Sequence, residues 1–155
     1  MKINQKGITI VSLVITIIIL LIIGGATVYI GTSVIKQATL QTVNTNMMLI
    51  QAKTKTIAEQ AKFNNNQDNY KGTVLSEVSG NKKIDEMINV GIIDDASKFY
   101  LLSKDDLISM GLEKIDIEDG YIVNYETEEV IYVKGYENDG ITYHKLTDMK
   151  NVVVK

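Results

Sequence analysis

The side chains able to do chemistry are few and scattered. His144 is the only histidine and the chain has no cysteine, which excludes disulfides, thiol catalysis and thiolate metal sites together. His144 lies in a β-rich run, with no serine anywhere in a nucleophile-elbow setting, and a lone histidine in such a place serves packing or surface more often than proton transfer. Carboxylates are more plentiful. Asp116, Glu118 and Asp119 before Gly120 form the densest cluster, with Asp94, Asp95 and Asp139 in other turns. Oxygen-rich loops suit calcium, so these three are the metal candidates. The cluster lacks the full spacing of a calcium loop and reads first as a solvated turn, so no cofactor is expected. Gly24 and Gly25 lie inside an apolar run, which excludes a phosphate-cradling role. No enzyme is expected from this inventory.

Tyr121, Tyr125, Tyr132, Tyr136 and Tyr143 fall together near the C-terminus. They can make an adhesive face, but tyrosine is a common strand residue, and core or cross-strand packing explains them first. Charge divides the chain more sharply than its net of −3 suggests. Residues 1–63 carry six lysines and one acid, Glu59, for +5; residues 64–155 carry ten lysines and 18 acids, for −8. All 16 basic residues are lysine. A C-terminal part this acidic lacks the basic footprint of a phosphate-binding surface, so direct contact with nucleic acid is not expected.

These residues need elements to hold them, and the spacing of apolar residues supplies them. Leu40, Val43, Met47, Ile50, Thr54, Ile57 and Ala61 recur at alternating intervals of three and four, one buried stripe of a helix running from Ile8 to about Phe63. The run Asn64–Asn69 ends it. Thr73 to Val78 reads as a short strand or as irregular. Ile84, Met87 and Ile88 before Gly91 predict a short helix, and Ser103 with Asp106 three places on predicts a capping box opening a second one that ends at Gly111. Tyr121–Tyr125 and Val130–Val133 predict a hairpin joined by four residues. Asn138-Asp139-Gly140 predicts a turn before a strand from Ile141 to Leu146, and Val152–Val154 an edge strand. The result is an antiparallel meander of three or four strands with one face to cover, for which the helix stripe is the available partner.

The N-terminus allows three readings. Lys2 and Lys6 precede Gly7, after which no charge occurs until Lys36. As a helix that run is long enough to cross the ~30 Å hydrocarbon layer. A secretory signal peptide would exit at Gly24-Gly25-Ala26, but the apolar run is long for one and helical periodicity continues past that point. A plain signal anchor fits the length, with the lysines holding the N-terminus in the cytoplasm, and leaves Gly7, Thr9, Ser12 and Thr16 unexplained. Third, Lys6-Gly7 followed by Ile8-Thr9-Ile10-Val11, Leu13-Val14-Ile15 and a further aliphatic run resembles the class III signal of type IV prepilins and pseudopilins.

That resemblance implies a prepilin peptidase cut after Gly7, making 1–7 a leader and Ile8 a new, N-methylated terminus. It implies a stem helix over 8–63, whose 8–31 part is transmembrane and then filament core, and a globular head over 64–155. The implied fold is α+β, the pilin fold: a long N-terminal helix packed against a C-terminal antiparallel β-meander with two short helices between. Implied partners are other pilin subunits, the membrane platform protein of the assembly machinery and the lipid bilayer. The implied location is the cell membrane, single-pass with the N-terminus cytoplasmic, and then an extracellular filament. Most of the family carries a glutamate at the place of Ser12; minor, tip-initiating pseudopilins and some pilin-like proteins of Gram-positive lineages do not. Gly24 and Gly25 are either a soft point where the stem melts on assembly, since glycine costs about 1 kcal/mol in a helix interior, or small residues allowing close helix contact. The competing reading is a single-pass membrane-anchored surface domain that never polymerises.

Overall fold

No proline interrupts the chain, and its first element is the helix α1, Gln5–Asn64. A computed structural model describes residues 5–115, 117 and 120–154, with α1 side chains described at 13–21 and from 32 onward. The chain divides into two units: the larger is Leu40–Val153, and the smaller contains α1 up to Thr39.

In the larger unit α1 ends within the asparagine run, as the sequence predicts. Asn65 takes a left-handed conformation (φ 48°), its N–H donates to the Lys62 carbonyl at 3.3 Å, and the Asn66 N–H donates to the Ala61 carbonyl at 3.0 Å. Those two bonds satisfy carbonyls that the helix leaves open, and asparagine tolerates the left-handed turn better than most residues. Leu40, Val43, Met47, Ile50, Thr54 and Ala61 are buried as expected, but Ala58 replaces Ile57 in the stripe. A stripe of alternating threes and fours has a period of 3.5, whereas the helix turns every 3.6 residues. The buried line therefore drifts about 20° per heptad and passes to the next residue.

After α1 come β1, Thr73–Val74; a 3₁₀ turn, Leu75–Glu77; α2, Lys82–Asn89; and a second 3₁₀ turn, Ala96–Lys98. Next follow β2, Phe99–Leu102; α3, Lys104–Ser109; β3, Tyr121–Asn124; β4, Val130–Asn138; β5, Ile141–Lys145; and α4, Leu146–Met149. The strands form one antiparallel sheet in the order β1-β2-β3-β4-β5. The protein is thus α+β with an antiparallel meander and short helices between stem and C-terminal strands. The predicted capping box is present: the Ser103 hydroxyl accepts from the Asp106 N–H at 3.2 Å and the Asp106 carboxylate accepts from the Ser103 N–H at 2.7 Å.

Three expectations are corrected. The sheet has five strands, because Phe99–Leu102 pairs with both β1 and β3. Its side chains are apolar or aromatic on both faces, so it lacks the alternation that marks a half-buried strand. Leu146 opens a helix instead of ending a strand, and Val152–Val154 follows that helix as a tail outside the sheet, not an edge strand. Finally, β3 stops at Asn124 and the hairpin connection runs over residues 125–129. The Asn124 side chain accepts from the Glu126 and Thr127 N–H groups, a local turn that withdraws the next residues from the ladder.

The strand register sorts the core. Phe99, Ile122 and Ile131 share one face, and with Leu75, Ile84, Met87, Ile93 and Val133 they form a cluster that α2 covers. Leu102, Tyr121, Val123, Val130 and Tyr132 occupy the opposite face and are buried too. Two bonds hold α1 beside that hairpin: the Gln51 amide donates to the Glu128 carbonyl at 2.9 Å, and the Lys55 ammonium lies 3.6 Å from the Glu128 carboxylate.

Candidate functional site

In the smaller unit, α1 carries the feature that most needs an explanation. Eight of the nine side chains from Leu13 to Leu21 are aliphatic, and these eight are 48–71% exposed. At about 100° per residue, nine successive residues point in every direction round the axis, so this segment has no polar side. Burying a side chain of this kind contributes roughly 1.5–3 kcal/mol, so moving the exposed part of eight of them out of water is worth on the order of 10 kcal/mol. That is comparable to the whole stability of an ordinary domain. A helix apolar all round has to be covered by lipid or by other apolar helices.

Gly7, Ile8, Ser12, Gly24 and Gly25 all fall on the backbone of α1, and their side-chain surroundings lie outside the described residues. Among the described residues no helix is long and apolar enough to cross a membrane; 8–12 and 22–31 of the expected span are not among the described side chains. The calcium candidates Asp116, Glu118 and Asp119 also lie outside the described residues. Among the described ones, no three His, Asp or Glu side chains gather where they could hold a metal ion.

His144 is positioned by packing. Its Nδ1–H donates to the Tyr132 carbonyl at 2.9 Å, and the ring lies against Gly135, where a Cβ would stand 2.7 Å from His144 Cε1 and 2.4 Å from Thr142 Cγ2. Gly135 has φ +76° and sits where β4 shifts register between Ile131 and Tyr136, so the histidine fills the space over a β-bulge. The groove beside it, about 300 Å³, is lined by Met87, Val90, Ile92 and Val133 and also by Lys83, Glu86 and Lys134.

Five of the tyrosines form two packed groups, and Tyr136 and Tyr143 are register partners across β4 and β5. Tyr121 and Tyr132 stack across β3 and β4 with ring centroids 5.3 Å apart, the cross-strand arrangement their spacing allows. Tyr125 stacks on Tyr70 at 4.1 Å and meets Tyr100 edge-on at 5.2 Å. Its hydroxyl accepts from the Lys71 N–H at 2.8 Å and donates to the Lys71 carbonyl at 2.9 Å. Burial pushes the Tyr125 phenol up to about 12, against the opposing effect of the Lys71 hydrogen bond. This cluster pins the loop after α1 to the sheet. Tyr70 and Tyr100 carry no periodic signal, and only the fold brings them to Tyr125.

No family model, curated protein or solved structure matches this chain.

Proposed function

We propose that this chain is a structural subunit, a pilin or pseudopilin, of a type IV pilus-like or type II secretion-like filament. Prepilin peptidase cuts after Gly7, Ile8 becomes the methylated N-terminus, and the subunit polymerises through the apolar part of α1. The observation that carries this reading is the aliphatic segment from Leu13 to Leu21, exposed on every side of its helix, within an uncharged run that begins at Gly7. Lipid covers such a segment before assembly, and neighbouring copies of it cover it afterwards. The α+β architecture, with the second half of a long helix beside an antiparallel meander, is consistent with the pilin fold.

In this reading the partners are other pilin subunits, the membrane platform protein and the bilayer, and the location is the membrane followed by an extracellular filament. Lys2 and Lys6 keep the leader on the cytoplasmic side. Ser12, uncharged where most of the family has glutamate, favours a minor or tip position over that of the major subunit. Intact-mass measurement of the protein from its native host tests the proposal. Loss of residues 1–7 with one added methyl group is the expected result. An uncleaved Met1 in cells with active prepilin peptidase overturns it in favour of a non-polymerising anchored domain.

A further inference from the structure

The larger unit carries a knob and a hollow on nearly the same side of one helix, at different heights. The knob is Phe63, 91% exposed in the last turn of α1, with Glu59 one turn before it and Lys62 beside it. The hollow, about 490 Å³, has an apolar floor of Leu49, Leu112 and Ile115, and Lys53, Lys114 and Glu113 line it as well. A phenyl ring needs such a floor. Glu59 on one surface answers Lys53 and Lys114 on the other, and Lys62 answers Glu113.

We propose that Phe63 of one copy seats in the Leu49–Leu112–Ile115 hollow of a second copy, with Glu59 placed between Lys53 and Lys114. The occupant is a second copy because the residues flanking the knob, Glu59 and Lys62, are complementary in both signs of charge to Lys53, Lys114 and Glu113 at the hollow. Their placement on α1 determines what the contact builds. Phe63 and Leu49 stand about 40° apart round the helix, and Phe63 lies about 21 Å beyond Leu49 along it. Knob and hollow are therefore separated mainly along the helix, and between parallel copies the contact leaves one of each free on every pair. Between parallel copies it repeats as an open chain, whereas an antiparallel pair would make the contact twice and close as a two-fold dimer. One aromatic knob and its flanking charges make a small interface, weak between dilute molecules. It rests on the filament reading, in which copies already stand parallel and side by side and the effective concentration is high. The charges set register more than affinity.

The absence of cysteine makes the test direct. The full chain carrying Phe63→Cys and Leu49→Cys is expressed in its native host and oxidised on intact cells. The two positions are about 21 Å apart on one helix, and a disulfide needs Cα atoms within about 7 Å, so any bond formed joins two molecules. A ladder extending beyond dimer is expected from the double variant and no cross-link from either single variant. Adding Glu59→Lys should weaken the ladder several-fold, and adding Lys53→Glu with Lys114→Glu should restore it. A dimer from Phe63→Cys alone, or a double variant that stays monomeric or stops at dimer, overturns the proposal. The N-terminus of the same samples is read by mass. A chain starting at Ile8 without a ladder overturns this contact and leaves the filament reading standing, whereas an uncleaved chain without a ladder overturns both.

Discussion

Replacing Thr54 with valine should stabilise the protein. Thr54 is fully buried (0% exposed) in the α1 stripe, and its Oγ1 has no hydrogen-bond partner. Other threonines of the same helix show what it forgoes: the Thr39, Thr45 and Thr56 hydroxyls donate to the carbonyl one turn back at 3.0, 2.8 and 2.9 Å. A buried hydroxyl that makes no bond keeps a desolvation cost of about 1–3 kcal/mol. Valine has nearly the same shape and branches at the same carbon, so Thr54→Val removes that cost without opening a cavity or altering helix propensity appreciably. The expected gain is about 1 kcal/mol or more, a rise in Tm of about 2–4 °C per kcal/mol for a chain of this length. Thermal unfolding of the full chain in detergent, followed by circular dichroism, measures it. Thr56→Val is the control: that hydroxyl is exposed and bonded, and the change should stay within about 0.5 kcal/mol. A fall in Tm for Thr54→Val of the size predicted for the rise would show that the hydroxyl is partnered, and the reasoning would fail.

Four further outcomes are expected. Tyr125→Phe removes both bonds to Lys71 and leaves a backbone N–H and C=O unsatisfied, at a cost of about 1–3 kcal/mol readable by urea unfolding. The same residue makes stability depend on alkaline pH. Its folded pKa of about 12 lies above the ordinary 10, so its contribution is fully present below pH 10 and is lost as pH rises through 12; the Tyr125→Phe chain should lose less stability over that window than the unaltered chain. Gly135→Ala brings a Cβ within 2.4 Å of Thr142 Cγ2 at φ +76°, so it should cost roughly 2 kcal/mol or more and move the His144 ring resonances in NMR spectra. On the proposed filament reading, Ser12→Glu should leave incorporation into filaments intact or improve it if the subunit sits laterally; loss of assembly, read by shearing and immunoblotting, would instead indicate a tip position.

The local elements were legible because their signals are local. The asparagine run after α1, the Ser103–Asp106 capping box, the glycine after α2 and the Asp139–Gly140 turn each rest on bonds within a few residues, and all four occur where the residues predict them. Helix periodicity likewise placed the buried stripe, apart from the one-residue drift at Ala58 that comes from the mismatch of 3.5 with 3.6. The apolar character of Leu13–Leu21 is also plain in the sequence, since a segment that is aliphatic in every direction needs no folding partner to be recognised.

What needed the tertiary structure was every feature built from residues far apart in the chain. Phe99–Leu102 becomes a strand because β1 and β3 flank it, and nothing in four apolar or aromatic residues announces two neighbours. Val152–Val154 has stronger strand propensity, yet it joins no strand ladder: α4 intervenes after β5, and the tail meets the end of β4 through the Asn138 side-chain amide, which donates to the Val153 carbonyl at 3.4 Å. Tyr70, Tyr100 and Tyr125 form one cluster only once β2 and β3 bring two of them together, and His144 is explained only by the bulge beneath it. Period and turn chemistry are properties of a stretch of chain, so the sequence alone determined the second half of α1, α2, α3 with its Ser103–Asp106 cap, and the apolar N-terminal run. Which strands meet, and therefore which side chains share the groove at Leu49 and which stand out like Phe63, was decided by tertiary pairing, whose energy comes from burying surfaces that are distant until the chain has folded.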